Sequence, residues 1–85
     1  MLANNRYEVA TEVQRVISET LSVAIGEIQN STRISEDLNA SSMDVVTLVM
    51  SFDDVFGIEI DLNAIPSSNV TVDWIVDYIC RLATH

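Results

Sequence analysis

Covalent chemistry needs a nucleophile, a base or a set of metal ligands, and this 85-residue chain offers few of each. Its one cysteine and one histidine, Cys80 and His85, both fall in the last segment. With no separate base, nucleophile and orienting group, they form no catalytic constellation, and an enzyme is not expected. Cys80 has no cysteine to pair with and sits in an apolar pattern, so core packing is its expected role. Asp53, Asp54, Glu59 and Asp61 lack the alternating ligands and closing glutamate of an EF-hand loop. No metal is therefore expected there, and a solvated or partner-facing surface is the reading. What remains is a pair of serines in Asp37-Leu38-Asn39-Ala40-Ser41-Ser42-Met43-Asp44. On the local sequence alone, Ser42 or its neighbour Ser41 caps the helix that follows, as serines at such positions usually do.

The elements that must position this junction follow from apolar spacing. Val9, Val13, Val16, Ile17, Leu21 and Ala24 recur at helical intervals, with Glu8, Glu12, Arg15 and Glu19 on other faces. They predict a first helix ending near Gly26. A polar connection runs from about Gly26 to Ser41, with Ile28, Ile34, Leu38 and Ala40 to pin it to the core. Val45, Leu48, Val49, Phe52, Val55 and Phe56 then form one stripe of a second long helix, which Gly57 stops. The same projection puts Met43 and Met50 near its polar side, where a contact surface or a covering loop would explain them equally well. Ile58 to Leu62 alternates like a strand but finds no partner, so an extended link into a short helical turn before Pro66 is expected. A last helix, capped by Asn69 or Thr71, turns Val72, Ile75, Val76, Ile79 and Leu82 inward. The fold class is all-α: one domain over residues 1–85, an irregular four-helix bundle of three longer helices and one short one.

Composition narrows the function classes. At 48% hydrophobic and 20% charged the chain is too apolar for disorder, yet no apolar run is long enough to span a bilayer. The N-terminus lacks a basic region followed by an apolar stretch, so no export signal is read and a cytoplasmic location is expected. Thirteen acidic residues face four arginines and no lysine, a net charge of -9. That balance repels nucleic acid and anionic membranes and favours a protein partner with a basic surface.

The stretch from Asp37 to Asp44 resembles the acyl carrier protein signature, typically Asp-Leu-Gly-Ala-Asp-Ser-Leu-Asp, and Ser42 matches its serine. The likeness continues through Val46, Leu48, Val49, Met50 and Phe56, then Glu59-Ile60 and Val76-Asp77-Tyr78-Ile79. It thus covers most of the chain after about residue 10. The resemblance implies that Ser42 carries 4'-phosphopantetheine through a phosphodiester, an anion suited to the free N–H groups and positive dipole end of a helix start. Register with Met43 and Asp44 selects Ser42 over Ser41. Three departures stand out: Asn39 for the glycine, Ser41 for the acid and Met43 for the leucine. Asn39 can take a glycine's turn conformation, and Met43 keeps a flexible apolar contact.

The resemblance also implies a carrier that catalyses nothing. A phosphopantetheinyl transferase loads the arm from coenzyme A, and the arm's thiol holds an acyl group for fatty-acid, polyketide or related biosynthesis. Acyl-loading enzymes, a ketosynthase or an acyltransferase with a basic docking patch would meet Met43, Asp44, Met50, Asp53, Asp54 and Glu59. The missing acid at Ser41, Thr47 at another commonly acidic position, and Trp74 where a small residue is common suggest enzymes other than the standard fatty-acid set. The family shelters its cargo between the second helix and the later ones, which here implies Val46, Phe52, Ile60, Ile65, Ile75 and Val76, whose alternative role is ordinary core. A monomer is expected. Two rivals remain at this point: an aminoacyl or peptidyl carrier, and an unmodified adaptor of the same fold that binds a partner through the second long helix.

Overall fold

The computed structural model describes residues 5–83; His85 and the first four residues of the N-terminal reading lie outside them. Four α-helices run in the order α1 (Arg6–Leu21), α2 (Ile34–Leu38), α3 (Ser42–Phe56) and α4 (Val72–Ala83), and α1 packs against both α3 and α4. Short 3-10 turns lie at Ile25–Glu27 and Leu62–Ala64. Each long helix buries the stripe its spacing demanded: Val9, Val13, Val16 and Ile17 from α1, Leu48, Val49, Phe52 and Phe56 from α3, and Val72, Val76 and Ile79 from α4. They share one hydrophobic cluster, which Cys80 meets from its edge as a half-buried free thiol. Among the described residues no helix is long and apolar enough to cross a membrane, and no group of side chains could hold a metal ion.

α1 stops earlier than its apolar spacing predicts. Ser22 takes the left-handed conformation with φ 56°, and its N–H donates to the Ser18 carbonyl. The Ser18 hydroxyl donates to the Val23 carbonyl at 2.6 Å, while the Val23 N–H returns to the Ser18 carbonyl at 3.2 Å. These bonds satisfy the last turn and pull the chain off the helix axis, which leaves Ala24 exposed rather than in the core. At the other end the Asn5 side chain caps α1 by accepting from the Glu8 N–H at 2.9 Å.

The connection between α1 and α3 holds a helix that was not expected, the five residues of α2. Asp37 explains it. Its carboxylate accepts from the Arg33 N–H at 2.8 Å and pairs with the Arg33 guanidinium at 3.1 Å, closing the first turn from within. That backbone N–H first, and the guanidinium second, hold the Asp37 carboxyl below its ordinary range. The anchors in this connection go where their apolarity sends them, with Ile28 and Ile34 buried and Leu38 and Ala40 packed against the core. The connection is also sewn to the start of α4: Ile34 N–H donates to Val70 at 2.9 Å and Val72 N–H to Thr32 at 3.0 Å.

The segment from Ile58 to Asp61 is extended without a partner strand, as expected, and a side chain supplies the missing acceptor. Asp53 Oδ1 accepts from the Ile60 N–H at 2.9 Å, and the Asp53 carbonyl from the Ile58 N–H at 3.2 Å. The short turn expected before Pro66 is the 3-10 turn, begun by Asp61, whose carboxylate accepts from the Asn63 N–H at 2.9 Å. Of the two caps weighed for α4, Thr71 serves, accepting from the Trp74 N–H at 3.0 Å. Asn69 instead occupies a left-handed turn with φ 59°.

Candidate functional site

The two serines at the head of α3 do different things. Ser41 is the N-cap: its hydroxyl oxygen accepts from the Asp44 N–H at 3.1 Å, while the Asp44 carboxylate accepts from the Ser41 N–H at 2.9 Å. This reciprocal capping box consumes the side chains of both residues. Ser42 is the first residue of α3, exposed, and its hydroxyl makes no hydrogen bond among the described residues. The cap that local sequence assigned to either serine therefore falls to Ser41, and Ser42 is left with a free oxygen.

What precedes the helix aims that oxygen. Asn39 ends α2 in the left-handed conformation at φ 58°, the turn its side chain tolerates, and three residues later α3 begins at Ser42. The N–H groups of Ser42 and Met43 have no acceptor within the helix, and the dipole of α3 places its positive end there. No basic side chain stands in the sequence between Arg33 and Arg81, and the start of α3 supplies positive potential from its backbone. An anionic phosphodiester on the Ser42 oxygen fits this arrangement.

Ser42 also stands on the rim of a cleft of about 360 Å³ between α2, the first half of α3 and the segment from Leu62 to Val70. Ile34, Val45, Leu48, Val49, Ile65 and Val70 give it an apolar lining, and Ser35 and Ser67 add hydroxyls. Of the cargo-sheltering residues expected from sequence, Val46 and Ile65 line it. Phe52, Ile60 and Val76 do not. They are 2%, 8% and 0% exposed and fill the core, and Ile75 packs against that core from its margin. The difference has a simple cause: Phe52, Ile75 and Val76 lie on the stripes by which α3 and α4 meet the core and Ile60 on the link that closes over it, while the cleft opens on the side of α3 that faces α2. Ile34 and Ala40, read from sequence only as core anchors, also line it, as do Ser35, Leu62 and Ser67, which no local pattern marks because tertiary approach alone brings them to Ser42.

The residues expected to meet partners divide into two groups. Met43 and Met50 are 75% and 66% exposed, so no loop or neighbouring helix covers them, and with Val46 they make an apolar strip down the outer face of α3. Asp54, on the last turns of α3, and Glu59, in the link beyond it, are exposed. Asp44 and Asp53 are half-buried, and each has a carboxylate oxygen tied to backbone, in the cap and in the extended link. The Ser41-x-x-Asp44 spacing was a signal for this cap, legible in the sequence and overlooked in treating Asp44 as a docking residue alone.

Comparison with known proteins agrees with this geometry. The family model for the phosphopantetheine attachment site matches residues 11–79. An acyl carrier protein of Thermotoga maritima is 37% identical over 75 residues, covering 88% of this chain and 91% of the relative. An acyl carrier protein of Campylobacter hominis is 51% identical over 53 residues, 62% of this chain and 67% of the relative. One of Helicobacter hepaticus is 50% identical over 48 residues, 56% of this chain and 63% of the relative.

Proposed function

The chain belongs to the phosphopantetheine-attachment family of acyl carrier proteins, non-catalytic carriers of phosphopantetheine-linked acyl groups, and from that premise we propose that Ser42 is its attachment residue. The observation that carries the choice is the division of labour at the head of α3, where Ser41 and Asp44 complete the cap and the Ser42 hydroxyl stays exposed and unbonded. In the transfer, the Ser42 oxygen forms a bond to the phosphorus of coenzyme A's pantetheine phosphate. The bond to the departing nucleotide breaks, and the hydroxyl proton passes to a base of the transferase. The N–H groups at the start of α3 would hold the resulting anion. When attached, the arm supplies a terminal thiol that holds the acyl cargo as a thioester. Val46, Ile65 and their neighbours in the cleft offer that cargo shelter from water, at roughly 0.8 kcal/mol per buried methylene.

Membership of the family implies work with biosynthetic enzymes. The partners proposed are a phosphopantetheinyl transferase, an acyl-loading enzyme, and a ketosynthase or acyltransferase with a basic patch. Exposed Met43, Met50 and Asp54 on α3, with Glu59 in the link beyond its end, support docking there. A cytoplasmic setting and a monomeric state are parts of the same proposal.

The test is intact mass after incubation with coenzyme A and a broad-specificity phosphopantetheinyl transferase. Wild type and Ser41→Ala gain one phosphopantetheine increment, and Ser42→Ala gains none. An increment that persists in Ser42→Ala would move the attachment elsewhere, and its absence from folded wild type with a transferase of the native host would sink the reading.

A further inference from the structure

The cleft beside Ser42 has two walls that belong to different parts of the chain. α2 contributes Ile34 and Ser35, and the segment from Leu62 to Val70 contributes Leu62, Ile65, Pro66 and Ser67. Their separation sets the width of the cleft. One edge is fixed by backbone, through the Ile34 to Val70 bond at 2.9 Å and the single antiparallel bridge between Arg33 and Thr71. A side chain makes a further tie. Glu36, exposed on α2, accepts from the Asn69 N–H at 2.9 Å across 33 residues of sequence. Asn69 is in the left-handed conformation, and its turn leads straight into the Ser67 wall.

We propose that Glu36 is a specificity-determining positioning residue: its tie to Asn69 holds the two walls together and so limits the length of acyl chain the cleft accepts. The inference rests on Ser42 being the attachment residue, which makes the cleft's occupant the tethered acyl chain. A volume of about 360 Å³ has room for on the order of ten methylene-sized groups at protein packing density. Longer chains must part the walls or leave their ends in water. The charge at Glu36 is not what the tie requires, because an amide oxygen accepts from a backbone N–H as a carboxylate does. Glutamine is therefore the conservative replacement and alanine the one that cuts the tie.

The experiment loads wild type, Glu36→Ala and Glu36→Gln with acyl-phosphopantetheine from coenzyme A thioesters of about two to sixteen carbons, a range that passes well beyond the capacity above, verifies loading by intact mass, and measures melting temperature against chain length. Wild type and Glu36→Gln rise in parallel and level off near ten carbons, while in Glu36→Ala the levelling point moves to longer chains. A uniform drop in melting temperature with an unmoved levelling point would show a merely structural tie and overturn the inference. Ser35→Leu, which fills the same wall, keeps the question open to refutation should Glu36→Ala fold poorly. It brings the levelling point to shorter chains, and an unchanged point overturns the cleft as the length limit. Failure to gain mass would instead strike at the attachment reading on which all of this stands.

Discussion

Of the two adjacent serines at the head of α3 only Ser41 caps the helix, and this difference is measurable. Ser41→Ala removes the acceptor for the Asp44 N–H and should cost about 1 kcal/mol, the usual worth of an N-cap. Ser42→Ala deletes an exposed hydroxyl that bonds to nothing described, so its stability by urea denaturation should stay within about 0.5 kcal/mol of wild type. Equal losses in both variants would contradict the assignment of the cap to Ser41. Much of this was legible beforehand. The family likeness singled out Ser42, and the tolerance of asparagine for positive φ foretold the turn at Asn39, observed at 58°. The structure adds a reason why serine at position 41 is no structural loss where the family has an acid, since serine and aspartate cap about equally well. The cost of that departure falls on surface charge alone.

At the scale of elements, apolar spacing placed the three long helices because each buries a stripe, and burial is what spacing encodes. It misplaced the end of α1 and missed α2, both decided by side-chain bonds to backbone at Ser18 and Asp37 rather than by burial. The extended link after α3 carries the same lesson. The lack of a partner strand argued against a sheet, but nothing in the pattern revealed that Asp53, read as a docking acid, is what satisfies the Ile60 N–H. Asp53→Ala leaves that donor unpaired in a residue only 8% exposed, and should cost about 1–3 kcal/mol. Asp53→Asn keeps an acceptor oxygen at the same place and should lose much less, while removing the charge a basic partner would meet. The pair of variants, compared by urea denaturation and by partner affinity, separates the two duties. If Asp53→Asn is as unstable as Asp53→Ala, the bond to Ile60 is not what holds the link.

For the whole molecule the dominant fact is one sign of charge. Arg6 pairs with Asp73 and Asp77, Arg15 with Glu12 and Glu19, and Arg33 with Asp37, all at the surface. Exposed pairs of this kind are worth about 0–1 kcal/mol each, and salt weakens them. Against them stands the repulsion within the acidic excess, which gives the chain a net -9, in a body of 31 × 28 × 19 Å. At about 10 mM salt the Debye length is near 30 Å and every charge feels the rest; at about 1 M it is near 3 Å and the repulsion is gone. Because the repulsion sums over the whole excess while each pair is local, sodium chloride should raise the melting temperature by several degrees, a gain of about 1 kcal/mol in a domain of this size. Docking on a basic partner should respond with the opposite sign, its association rate falling as the same field is screened. A melting temperature that falls with salt would mean that the arginine pairs outweigh the repulsion. The acidic surface would then be stabilising in itself, and partner steering would no longer be needed to explain why so small a domain tolerates it.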